Sequence, residues 1–127
     1  FCNNSIYTLK IFSLVLSRVK SEAEGKVLWS YLFETDKLEN NGTDFESGMV
    51  FKEMMSVVGV KVAVFFKVSQ SLNKVEISFR STDDIDVSQV ASFFGGGGHK
   101  VAAGVSINGD YEKIKKEVLA KIEEIFH

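Results

Sequence analysis

A single cysteine, Cys2, cannot close an internal disulfide and removes the usual zinc-ligand sets. A reducing, cytoplasmic setting is the expectation that follows. No apolar run approaches the ~20 residues that a membrane span needs, so no membrane partner is expected. Charge of one sign is also missing. With Lys and Arg at 15 against Asp and Glu at 17, the net charge is -2. No broad positive field exists to hold nucleic acid non-specifically, so any nucleotide would need a local, shaped site. The chain has no initiator Met, and no basic stretch followed by an apolar core stands at its start. It is expected to be the C-terminal part of a longer protein. Internal repeats are absent.

What is present is the make-up of one ordinary globular domain: 127 residues, 45% hydrophobic and 25% charged. Asn4 or Ser5 can cap a first helix running to about Val19, with Leu9, Phe12, Leu16 and Val19 on one face. Ile11, Leu14 and Val15 add a second apolar surface, suited either to core packing or to contact with another domain. Val27 to Glu34 is apolar on both faces and is expected to be a covered strand. Thr35 to Gly42 looks like a polar loop ending in an Asn40-Asn41-Gly42 turn. Thr43-Asp44-Phe45-Glu46 has the form of a capping box. The helix it would open carries Phe51, Met54, Met55 and Val58 at core spacing and stops at Gly59.

Val60 to Val68 and Lys74 to Ser81 alternate apolar and polar residues on either side of a short polar turn, which predicts a hairpin. Asp83, Asp84 and Asp86 follow. Carboxylates suit a hard cation, but Asp86 with Gln89 fits better as the cap of a helix from Val87 to Phe94, with Asp83 and Asp84 in the turn before it. A strand over Ala103 to Ile107 and a last helix capped by Asp110 and lined by Ile114, Val118, Ile122 and Ile125 complete the chain. The predicted class is α/β (α+β): a mixed sheet of four to five strands with helices packed on it.

Between the fourth helix and the last strand lies Gly95-Gly96-Gly97-Gly98-His99-Lys100. Four glycines in a row are costly to order, because glycine loses the most backbone freedom on folding. They can end a helix and form a flexible loop. They can also let successive N–H groups close around an anion, with His99 and Lys100 as further donors. Gly95 serves as a helix cap, which leaves three glycines free for that second use. Ala102-Ala103-Gly104 keeps side chains small where backbones would pack closely.

The succession Ser78-Phe79-Arg80-Ser81, an acidic turn, Asp86-Val87-Ser88, an apolar half-helix, Gly95-Gly96-Gly97-Gly98-His99 and Ala102-Ala103-Gly104 resembles the C-terminal DHH-associated domain of DHH-family phosphoesterases, most closely the nano-RNase and adenosine bisphosphate phosphatase branch. The resemblance covers nearly the whole chain from about Phe12. It implies a linker helix over residues 1–20, leading from an N-terminal catalytic DHH domain, and a substrate-binding domain over 21–127. Manganese would be held in that N-terminal domain; this segment would carry no metal and no catalytic residue, and would be inactive alone. The partners it implies are short oligoribonucleotides or nucleotide phosphates and the chain's own DHH domain, with room for a homodimer. Gly96, Gly97, Gly98 and His99 would contact phosphate or sugar, Arg80 and Ser81 would pair with phosphate or stack on a base, and Lys100 would add charge.

Two departures stand out. No Asp-His-His triplet occurs, and Lys100-Val101 is less basic than the corresponding pair in relatives. Two further readings share the pattern: a cyclic dinucleotide phosphodiesterase, and a tRNA-binding module like the glycine-rich C-terminal domain of alanyl-tRNA synthetase. Outside the resemblance, Arg80 could simply form an exposed salt bridge with Glu76.

Overall fold

The structure is a computed structural model and describes residues 5–127. Cys2 and the alternative cap Asn4 lie outside the described residues. Helix α1 (Ile6–Ser17) is followed by strands β1 (Lys20–Glu22) and β2 (Val27–Phe33), then by helices α2 (Glu34–Leu38) and α3 (Gly48–Met55). The hairpin β3 (Val62–Ser69) and β4 (Lys74–Ser81) leads to α4 (Val87–Phe93), β5 (Gly97–His99), β6 (Ala102–Asn108) and α5 (Tyr111–Glu123). The strands form one mixed sheet in the order β1-β2-β3-β4-β6-β5, parallel only between β2 and β3. The expected class holds. Two short strands, β1 and β5, raise the count to six, and β5 lies inside the glycine run.

Each face of the sheet has its own core, because the strands alternate apolar residues to both sides. Trp29, Val64, Phe66, Ile77, Phe79 and Val105 pack under α4 and α5. Leu28, Leu32, Ala63 and Phe65 pack under α1 and α3 with Ile11, Val15, Phe51 and Met54. The hairpin pairs as predicted, in the register Val62 with Ser81 through Ser69 with Lys74.

Five local expectations are corrected. Helix α1 starts as expected, with the Ser5 hydroxyl accepting from Thr8 N–H, but it buries Ile11 and Val15 and leaves Leu9 50% exposed. The Ser30 hydroxyl fixes this orientation by donating to the Val15 carbonyl at 2.6 Å. The expected loop after β2 opens with α2, since Asp36 accepts the Phe33 N–H at 2.7 Å and Arg18 in a two-point pair. Thr43 to Glu46 is not a capping box: α3 begins only at Gly48, because Phe45 is drawn into the core against Phe65. Val58 is 97% exposed, since α3 ends at Met55 and the chain turns through Gly59 at φ +88°. Val50, Phe51 and Met54 form the buried stripe instead. At the other end, Asp110 caps α5 and Ile114, Val118 and Ile122 are buried, whereas Ile125 lies past the end of α5 and is 39% exposed.

Candidate functional site

The four glycines have separate reasons to be glycine. Helix α4 opens on Asp86, which accepts from the Ser88 N–H. It closes with Gly95 at φ +94°, the Gly95 N–H donating to Ser92 and the Gly96 N–H to Ala91 at 2.8 Å. This is the paired hydrogen-bond pattern of a Schellman helix end. A Cβ on Gly96 would fall 2.5 Å from Val105 Cβ and against the Gly104 carbonyl. Gly98 has φ +140° and lies so close to Ala103 that a Cβ would come 2.6 Å from its Cα. Gly95 and Gly97 both have open space where a Cβ would project, but of the four only Gly97 combines that space with a φ that suits any residue. Three of the four therefore have structural reasons, and not Gly95 alone.

The amides are divided just as unevenly. Ser81 N–H donates to the Val101 carbonyl, which fixes the hydrogen-bonded pairs between β4 and β6 as Ser81 with Val101 and Phe79 with Ala103. Ala102 and Gly104 then direct their backbone groups toward β5, where their partners are His99 and Gly97. The Gly97 and His99 amides are thus engaged by β6, and the Gly96 amide by α4. Gly98 is left as the residue of β5 whose N–H and C=O point away from the sheet.

Residues paired across neighbouring strands share a face. Ala63, Arg80, Ala102 and His99 form one row, and Phe65, Ser78, Gly104 and Gly97 the next. Both rows lie on the side that α1 and α3 cover over β2 and β3. Beyond the edge of β4 that side is open: Gly97, His99 and Ser106 are exposed, and Ser78, Arg80, Ala102 and Gly104 half-buried. The result is a shelf with a nearly side-chain-free floor, Ser78-Gly104-Gly97, beside Arg80 and His99. Those two stand two strand spacings apart, about 10 Å.

Arg80 has no carboxylate partner among the described residues; Glu76 pairs with Lys74 instead. Its guanidinium lies 4.6 Å from the Phe51 ring centroid and donates once, to the Phe79 carbonyl at 3.0 Å. The Ser81 hydroxyl donates to the Ile85 carbonyl at 2.8 Å, so its one proton ties the acidic turn to the sheet. Lys100 is exposed, while its carbonyl accepts the Val87 N–H. Of the residues expected at the site, Arg80, Gly97, Gly98 and His99 come together around the shelf. Gly96 and Ser81 support it from behind.

Sequence patterning did not single out Ser78 or Phe51. Ser78 reads as an ordinary outward strand residue, and Phe51 as a helix core position; only the strand register and the placement of α3 bring them to the shelf. Among the acids, Asp86 caps α4, and Asp84 accepts from Thr82 and pairs with Lys61. No group of three or more His, Cys, Asp or Glu among the described residues could hold a metal ion. At the opposite end of β3 and β4, a groove contains Lys37, Lys67 and Lys74, but each is already engaged, by Asp44, the Phe45 carbonyl and Glu76. No described helix is long and apolar enough to cross a membrane.

Comparison with known proteins agrees with this architecture. The fold is similar to part of an exopolyphosphatase-related protein from Bacteroides fragilis, with TM-score 0.82 and 23% identity over 97% of this chain and 37% of that one. It is also similar to part of a pGpG-specific phosphodiesterase from Vibrio cholerae, with TM-score 0.67 and 11% identity over 94% of this chain and 40% of that one. The chain thus spans less than half the length of either structure. No curated protein sequence matches it significantly. The family model of the DHHA1 domain matches residues 15–127. The chain belongs to the DHHA1 family, the accessory domain of DHH phosphoesterases.

Proposed function

We propose that this domain grips a short nucleotide for a metal-dependent phosphodiesterase of the nano-RNase or adenosine bisphosphate phosphatase type. Hydrolysis and the manganese it uses would belong to an N-terminal DHH domain reached through the segment of residues 1–20 that contains α1, in a cytoplasmic enzyme. The chain alone is expected to turn over nothing.

One observation carries the reading: an uncovered shelf with Arg80 and His99 on one side and, on the other, a floor whose one side chain is Ser78. A phosphate can approach Arg80 through a planar fork of N–H groups, which matches phosphate geometry better than a lysine would. The bare Gly97 Cα admits the ligand to the sheet surface, and the outward Gly98 N–H adds a neutral donor. The exposed His99 imidazole supplies another donor. Ser78 offers a hydroxyl that makes no hydrogen bond to the described residues.

A ligand two nucleotides long fits the scale of the shelf, and the Vibrio cholerae neighbour is named for its action on pGpG, a linear dinucleotide. The modest net charge supports a short ligand over a long RNA, whose binding rests on many phosphate contacts.

The test is calorimetric titration of the chain with 5′-phosphorylated diadenylate. Arg80→Ala should weaken binding by about 10- to 100-fold, the value of a hydrogen-bonded charge. Gly97→Val, whose Cβ would meet nothing within 4 Å, should block approach and weaken binding comparably. Wild-type affinity in both folded variants, or no binding by the wild type at millimolar ligand, would contradict the assignment.

A further inference from the structure

The chain has two arginines, and both lie over an aromatic ring, Arg18 over Tyr31 at 4.7 Å and Arg80 over Phe51 at 4.6 Å, but only Arg18 also has an acid. Arg18 is gripped by a carboxylate, with both ends of its fork on Asp36 at 2.7 and 3.0 Å. Arg80 pairs with no acid among the described residues. It lies against the face of Phe51, with Cζ 4.6 Å from the ring centroid, and gives one N–H to the Phe79 carbonyl. A guanidinium carries five N–H groups, so one donated bond leaves four.

An arginine poised for an anion has a conflicting requirement. A carboxylate would hold it in place but would neutralise its charge and occupy the fork. An aromatic face attracts the cation through the ring quadrupole and uses none of its donors. Phe51 suits that task because its own position is fixed. It is 4% exposed, projects from α3 into the core and meets Phe65 edge-on at 6.5 Å and 81°. The ring is thus anchored in the core by Phe65 while the Arg80 guanidinium lies over it.

We infer that Phe51 is a positioning residue for Arg80: it holds the guanidinium at the rim of the shelf, charged and with its fork open to an incoming phosphate. The inference rests on the substrate-binding reading of the shelf and adds a residue to it. Phe51 touches no ligand. Its effect is to remove the rotamer search that Arg80 would otherwise undergo on each binding event, so its loss should lower affinity only through Arg80.

A double-mutant cycle tests this with 5′-phosphorylated diadenylate as the probe. Phe51→Leu, which keeps apolar bulk, should weaken binding about 3- to 10-fold, the scale of a cation–π contact. Combined with Arg80→Ala it should add nothing further, because the residue it positions is gone. Pentafluorophenylalanine at position 51 keeps the ring's shape and inverts its electrostatic face. It should reproduce the loss, whereas a purely structural role for Phe51 predicts none. It also serves if Phe51→Leu fails to fold.

If Arg80→Ala weakens binding while both ring variants bind like wild type, or if the Phe51→Leu loss adds in full to that of Arg80→Ala, the positioning role is wrong and the site reading stands. If Arg80→Ala itself has no effect, both fall.

Discussion

Gly96 and Gly97 are neighbours with opposite tolerances, because only one of them packs against the sheet. A methyl group on Gly96 would press into Val105 and the Gly104 carbonyl, whereas on Gly97 it would meet nothing within 4 Å. Gly96→Ala should therefore destabilise the fold by about 1–3 kcal/mol, the usual cost of overpacking. Gly97→Ala should leave stability within about 0.5 kcal/mol of wild type. Urea unfolding of the two variants measures this directly; equal midpoints would mean that the α4–β5 junction is looser than described. The contrast matters for function, since a glycine that the fold does not need is the one left for a ligand. From the sequence only Gly95 stands apart, as a helix cap, and the other three look interchangeable. Their division of labour depends on φ values and on which strand lies opposite, and neither is written locally.

Among the elements, α1 and α2 are fastened to each other by the Arg18–Asp36 pair, whose side chains are 17% and 11% exposed. Burial alone would raise the Asp36 pKa. The hydrogen bonds from Arg18 and the Phe33 N–H outweigh it and hold the carboxyl below its ordinary value of 3.8. A carboxyl with a depressed folded pKa stabilises the protein above its unfolded pKa and loses that contribution as pH falls through the folded one. Asp36→Asn should thus lower stability by about 2 kcal/mol near neutral pH, with the gap to wild type closing below about pH 4. A gap that persists unchanged in acid would show that the loss comes from packing.

The hairpin β3–β4 was legible because two strict alternations bracket a polar turn. The faces of α1 and the start of α3 were not, because apolar residues stand on several sides of each. The choice was made by distant partners, Ser30 for α1 and Phe65 for Phe45. Helix α2 was hidden for a similar reason, since its cap is tied to an arginine 18 residues earlier.

At the scale of the molecule, the sheet divides into a covered half and an open half. Two full cores brace β2 and β3, while β4, β6 and β5 have a full core, under α4 and α5, on one side only. The shelf is the exposed side of that second half, and the side chains and amides not claimed by the fold collect there. The family pattern in the sequence pointed to Arg80 and the glycine run. It could not reveal that one amide of the run faces outward, or that an aromatic ring stands where an acid would otherwise hold the arginine.

The most direct test is to record amide and arginine side-chain NMR shifts of the chain while titrating 5′-phosphorylated diadenylate. The account predicts that the largest changes fall on Gly97, Gly98, His99 and the Arg80 guanidinium. Changes concentrated in the lysine-lined groove around Lys37, Lys67 and Lys74, with the shelf unmoved, would contradict it.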